Sequence, residues 1–217
     1  MSELKGRWGY DIRPDEIEKR SFEIIDTLVD LSHLSPREKA LVGRVIHATG
    51  DPSFLPLVKW SGGAFDAAVS ALSGGAPIVT DVEMARSGVS KVRAAKFGSE
   101  TFCYISDSGV VEDARERGVT RSIAAVEKAA RMHTGAIYVF GNAPTALFRL
   151  LELVDEGKAK PAVIVGTVVG FVGAAESKDA LMERSDLEWI SVKGNKGGSN
   201  VAAACVNALM KAAAGEV

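Results

Sequence analysis

Between Ile17 and Leu28 the apolar residues fall at helical spacing: Ile17, Ile24, Ile25 and Leu28 share one face with Ser21, while Glu18, Lys19 and Asp26 take the other. That period predicts an amphipathic helix from about Pro14 to Asp30 with its apolar face turned inward. Ser35-Pro36-Arg37-Glu38 combines a cap serine, a proline at the first helical position and a glutamate at the third. It predicts a second helix that buries Leu41, Val42, Val45 and Ile46 and ends near Gly50. Asp51 to Trp60, which holds Pro52 and Pro56, reads as a loop. A third helix, Ala64 to Leu72, runs into Gly74-Gly75.

A rhythm then sets in. Short apolar runs at Pro77–Thr80, Thr101–Ser106, Ala136–Phe140, Ala162–Val165 and Glu188–Val192 alternate with helical stretches. Those stretches begin near Val82, Val111, Ser122, Pro144, Gly173 and Ser199. Strands that are almost wholly apolar belong to a parallel sheet covered on both faces. The expected fold is therefore α/β: an open, mainly parallel, Rossmann-like sheet with helices on both faces. An N-terminal helical part (about 14–73) packs against the α/β part (about 76–214), and the 217 residues form one domain.

Composition narrows the function classes. Hydrophobic residues at 47% and charged residues at 25% exclude a disordered chain. The net charge of −2 comes without a long run of either sign, which argues against nucleic acid or an anionic membrane as partner. Cys103 and Cys205 are too few for a disulfide framework or a zinc site, so a reduced, cytoplasmic setting and no bound metal are expected. The first eleven residues lack the basic and apolar regions of a leader, and Gly166, Gly170 and Gly173 break up the longest uncharged stretch.

Parallel sheets bind ligands where their strands end, because loops and helix N-termini gather there. Those positions carry Asp81-Val82-Glu83, Gly141-Asn142-Ala143-Pro144-Thr145, the Gly166–Lys178 stretch and Lys193–Ser199. They include no dinucleotide G-x-G-x-x-G, no P-loop and no G-x-S-x-G elbow. Exposed amides at the helix starts would still favour an anion such as a carboxylate. Asp81 and Asn142 are equally readable as helix caps. Arg121-Ser122 opens a helix where an arginine can clamp a carboxylate, although a solvated charge run fits as well. His33 and His133 read as solvated surface residues. His47 lies in the last turn of the second helix, where carbonyl dipoles favour an imidazolium; a plain capping role and an acid/base role both remain open. Residue chemistry alone thus stops at an α/β protein that binds an anionic ligand at its strand ends.

The same residues carry a family resemblance over nearly the whole chain. Glu18 to Ile25, Ile46-His47-Ala48, Gly74 to Ile78, Asp81-Val82-Glu83-Met84, Thr120-Arg121-Ser122, Gly141 to Phe148 and Gly170 to Lys178 together resemble the precorrin-8X methylmutases. That resemblance implies an isomerase of cobalamin biosynthesis. It moves a methyl group from C-11 to C-12 of precorrin-8X or cobalt-precorrin-8 and yields hydrogenobyrinate or cobyrinate. It implies His47 as proton donor and acceptor, no methyl donor, no cofactor and a homodimer. As substrate-binding residues it implies Ser21, Asp81, Glu83, Arg121, Ser122, Asn142, Ala143, Thr145, Gly170, Phe171, Val172, Ser177 and Lys178; Ser21, Arg121, Lys178 and the helix-start amides after Asn142 and Gly173 would meet the acidic rim of the tetrapyrrole, with Glu176 orienting Lys178 or a backbone amide. Ser21 has a second reading as a small packing residue. Thr49 and Val168 stand where the family commonly has cysteine and proline. The competing function is a corrinoid carrier that keeps the pocket without the chemistry.

Overall fold

The computed structural model of the chain describes residues 7–10 and 12–217; the leader reading of the first eleven residues rests in part on positions outside them. Alternation within each short strand explains the layers. In β4 (Ile137–Phe140), Ile137 and Val139 enter one core while Tyr138 and Phe140 enter the other, and all four are buried. The same division holds for β2 (Ile78–Thr80), β5 (Val163–Gly166) and β6 (Trp189–Val192).

Two further strands complete the sheet. β1 (Val58–Trp60) lies at one edge and β3 (Thr101–Phe102) at the other, in the order β1-β6-β5-β4-β2-β3. All pairings are parallel except β1 on β6. On one face lie α2 (Pro36–Thr49), α3 (Ala64–Ser73) and α10 (Ser199–Ala213), joined by the short α4 (Glu83–Gly88) and α5 (Lys91–Lys96). On the other lie α7 (Arg121–Met132), α8 (Pro144–Asp155) and α9 (Ala174–Met182), with α6 (Ser108–Arg117) packed on α7. α1 (Pro14–Leu28) leans on α2.

The second helix forms as its sequence dictates. Ser35 N–H donates to Glu38 Oε2 at 2.7 Å, closing the capping box, and Gly50 ends the helix at φ +63° with its N–H on the Ile46 carbonyl.

Three expectations need correction. The Asp51–Trp60 loop contains a 3₁₀ turn at Pro52–Phe54 and then β1, whose three residues add an antiparallel edge. α5 has no counterpart in the expected pattern because six residues give too short a period to read. α1 does not turn its whole apolar stripe inward: Ile25 is buried, but Ile17, Ile24 and Leu28 are 45%, 50% and 59% exposed. The helix touches the body along one edge only. Its stripe faces water.

Candidate active site at the strand ends

β2 leads outward to β3, whereas β4, β5 and β6 step the other way, so chain order reverses between β2 and its neighbour β4. At that switch point no crossover covers the carboxyl ends of the strands, and a crevice opens. Asp81 follows β2 directly. Its carboxylate accepts three backbone N–H groups from the turn after β4: Gly141 at 3.1 Å, Asn142 at 2.7 Å and Ala143 at 2.8 Å. The side chain is buried, which pushes its pKa up, while the three amides pull against that rise.

The helix N-termini of the outer face meet here. Thr120 caps α7 and its hydroxyl lies 3.2 Å from that of Thr145 in the first turn of α8. Gly173, at φ +74°, precedes α9 and packs against Pro144 and Phe148, where a Cβ would already be in contact. Three positive helix ends therefore stand side by side, although Pro144 brings no N–H to α8 and the Ile123 and Ala146 amides are bonded to Thr120 and Ala143. Arg121 is exposed beside them and makes no ion pair among the described residues. Asn142 and Thr145 are exposed too, and Ala143 is buried behind them. Ser122 lines a narrow cavity with Thr80, Asp81 and Tyr104. Met84, Val169, Phe171 and Val172 add apolar surface at this end of the sheet, Phe171 being 91% exposed.

His47 borders the same end. Asn200, in the first turn of α10, donates from Nδ2 to the Ala48 carbonyl at 3.3 Å, so the C-terminus of α2 meets the N-terminus of α10. The imidazole is exposed and stacks on Phe22 of α1, with centroids 5.4 Å apart and planes at 5°. Neither ring nitrogen makes a hydrogen bond among the described residues, which leaves both available to a ligand. Thr49 Oγ1 donates to the Val45 and Ile46 carbonyls and tightens that helix end.

Other expected site residues are placed differently. Ser21 is half-buried and spends its hydroxyl on the Ile17 carbonyl at 2.7 Å. Glu83 pairs with Arg86 at 2.7 Å. Gly170 is tied down by its N–H to Asn195 O and its carbonyl to Asn195 Nδ2. Ser177 has no exposed surface and donates to the Ala174 carbonyl. Lys178 is also fully buried, its Nζ donating to the Lys196 carbonyl at 2.6 Å. Both were expected to contact the substrate, Lys178 on a rim carboxylate; the α9 helix turns them into the body instead. Glu176 is exposed and does not orient Lys178. The amides of Asn142 and Ala143, expected for an anion, are already taken by Asp81. His133 is not a solvated residue: its ring lies 4.4 Å from that of Phe102 and its Nε2 is 2.6 Å from the Tyr104 hydroxyl. Burial lowers its pKa.

Burial also lowers the Lys178 ammonium from its ordinary 10.5 to about 8. The folded value is the lower one, so between the two values the unfolded chain binds more protons. Stability therefore rises with pH across that window, and below it the buried charge costs on the order of 3 kcal/mol. Urea unfolding of the wild type is expected to gain on a Lys178→Met variant as pH rises from about 8 to 10.5. Parallel curves would contradict the buried ammonium.

The family profile of precorrin-8X methylmutase matches residues 16–212. This chain belongs to the precorrin-8X methylmutase family. Among its relatives is the cobalt-precorrin-8 methylmutase of Salmonella typhimurium, 46% identical over 207 residues, which cover 93% of this chain and 96% of that one. The precorrin-8X methylmutase of a Sinorhizobium species is 43% identical over 196 residues, covering 90% and 93%. The crystal structure of the precorrin-8X methylmutase from Thermus thermophilus superposes with a TM-score of 0.84 at 38% identity, covering 92% of this chain and 98% of that one. Relatives named for the cobalt-containing and the cobalt-free substrate thus match over similar spans.

Proposed function

We propose that the chain is an isomerase of cobalamin biosynthesis that moves the methyl group of precorrin-8X or cobalt-precorrin-8 from C-11 to C-12, with His47 as the acid and base. The observation that carries the site is the meeting of the α2 C-terminus, bearing an exposed histidine, with the N-terminus of α10, whose Ser199 lies against Gly141 of the switch-point turn that starts α8. A tetrapyrrole with acetate and propionate arms suits this end: first-turn amides, Arg121, Asn142 and Thr145 face the carboxylates, and Phe171, Val172 and Met84 offer apolar surface to the ring.

The chemistry asks for little besides a proton and a fixed geometry. A His47 ring nitrogen gives its proton to the macrocycle, at nitrogen or carbon, which makes the conjugated system electron-poor. The methyl group then migrates with its bonding pair, and the same imidazole takes the proton back. Neither electrons nor atoms are gained, so the step needs no methyl donor. Such proton transfer contributes about 10²–10⁴ in rate, and holding the flexible ring in a reactive conformation adds to it. Anaerobic absorbance with each substrate form should show the conjugation change for at least one of them. Binding of both without spectral change would leave the carrier reading in its place.

We also infer a homodimer in the cytoplasm. The exposed stripe of Ile17, Ile24 and Leu28 is apolar surface of the kind a second copy covers, and Trp8, Tyr10 and Ile12 are exposed as well. Both cysteines are free, and no helix among the described residues is long and apolar enough to cross a membrane. Light scattering should give twice the monomer mass, and Ile24→Glu with Leu28→Glu should halve it. A monomeric wild type would remove the dimer.

A further inference from the structure

Lys178 is among the largest side chains with no exposed surface, yet no carboxylate pairs with its ammonium among the described residues. Asp179, its chain neighbour, favours the charged form electrostatically but makes no ion pair with it. A buried charge without an ion-pair partner is costly, and a methionine would fill the same volume without that cost. What the lysine gains is one bond, from Nζ to the carbonyl of Lys196 at 2.6 Å.

Lys196 is the centre of a clasp. Its own ammonium reaches the opposite way, 2.6 Å to Asp51 Oδ2 and 2.6 Å to Ser53 Oγ, and lies over the Phe54 ring. These groups follow directly on the end of α2. Four residues on, Asn200 holds the Ala48 carbonyl, next to His47. On its other side the segment is bonded to the loop after β5: Gly198 N–H to Thr167 O at 2.7 Å, and Asn195 to both backbone groups of Gly170. Contact there is backbone on backbone, since a Cβ on Gly197 would sit 2.1 Å from the Thr167 carbonyl oxygen. The segment 193–200 thus joins the His47 helix end to the Gly170–Gly173 loop, and Lys178 fastens it from beneath.

We propose that Lys178 is a positioning residue which, through the Lys196 carbonyl, fixes the 193–200 segment and with it the placement of His47 against the Gly170–Gly173 loop. The proposal rests on the reading of His47 as the acid and base. It also gives Lys178 a different task from contact with a substrate carboxylate. Misplacing a reacting group by about an ångström costs on the order of a hundredfold in rate.

The test is Lys178→Met, compared with the wild type by steady-state turnover, titration with hydrogenobyrinate, urea unfolding at pH 7 and NMR of the histidine ring protons. The expected result is a kcat lowered about 10- to 100-fold, with KM and product affinity nearly unchanged and the urea midpoint not lowered. The His47 ring signals should move while those of His33 and His133 stay. Weaker product binding at unchanged kcat would overturn the proposal in favour of a direct carboxylate contact. Unchanged kcat with unmoved His47 signals would overturn it outright. If the methionine variant does not fold, Asn200→Ala removes the clasp at its α2 end, and the same lowered kcat and displaced His47 signals are expected; their absence overturns the proposal. A fully active His47→Ala protein would defeat the reading of His47, whereas displaced His47 signals in Lys178→Met would still report the clasp.

Discussion

With alanine in place of His47, turnover is expected to fall about 10²- to 10⁴-fold while affinity for the tetrapyrrole product stays within a few-fold. The separation of the two effects follows from the structure. The imidazole is exposed, stacks on Phe22 and makes no hydrogen bond within the described protein, so its loss leaves the helix ends and Arg121 in place. Nor does the fold depend on it. The α2 helix ends on the Gly50 N–H and the Thr49 hydroxyl, both bonded to last-turn carbonyls whatever stands at position 47. Single-turnover absorbance under anaerobic conditions measures the first quantity and equilibrium titration with hydrogenobyrinate the second. A parallel fall in both would assign His47 to binding rather than to proton transfer.

Asp81→Asn is the substitution expected to cost the most stability, about 2–5 kcal/mol. The native carboxylate satisfies three amides with two oxygens in a buried position. Asparagine keeps one oxygen and turns an NH₂ group toward N–H donors, so at least one amide loses its acceptor where water does not reach. Each such loss costs about 1–3 kcal/mol. The Gly141–Ala143 turn sets the first turn of α8, and Gly141 itself lies against Ser199, where a Cβ would meet the Ser199 Cα at 2.6 Å. Loosening it would displace the starts of α8 and α10 together. Urea denaturation checks the stability; circular dichroism with an unchanged midpoint would show that the three amides find other partners.

The legible parts of the fold are those where one residue type answers one physical demand. β4 reads as a central strand because all its positions are apolar, and α2 reads from cap to cap because Ser35, Glu38 and Gly50 each do a job that few other residues do. β1 escapes notice because Val58-Lys59-Trp60 is an edge strand beside prolines, with no alternation long enough to see. The stripe on α1 is visible as amphipathic, but a period cannot tell whether the body of the chain or another surface covers it. In the site, Arg121 is legible as a helix start, and the strand-end rule brings Asn142, Thr145 and Phe171 to one end of the sheet. It cannot distinguish a polar residue that faces the crevice from one that holds the crevice together. Asp81, Ser177 and Lys178 are buried, with their polar atoms bonded inside the protein, and only the structure reveals it.

The most direct test of the account is the crystal structure of the protein with hydrogenobyrinate bound. The macrocycle is expected at the carboxyl ends of the strands, with a His47 ring nitrogen within hydrogen-bond reach of the ring, roughly 2.6–3.2 Å or through one water, and rim carboxylates on the first turns of α7, α8 and α9. A product bound elsewhere, or at these strand ends with His47 turned away from the ring, would contradict it.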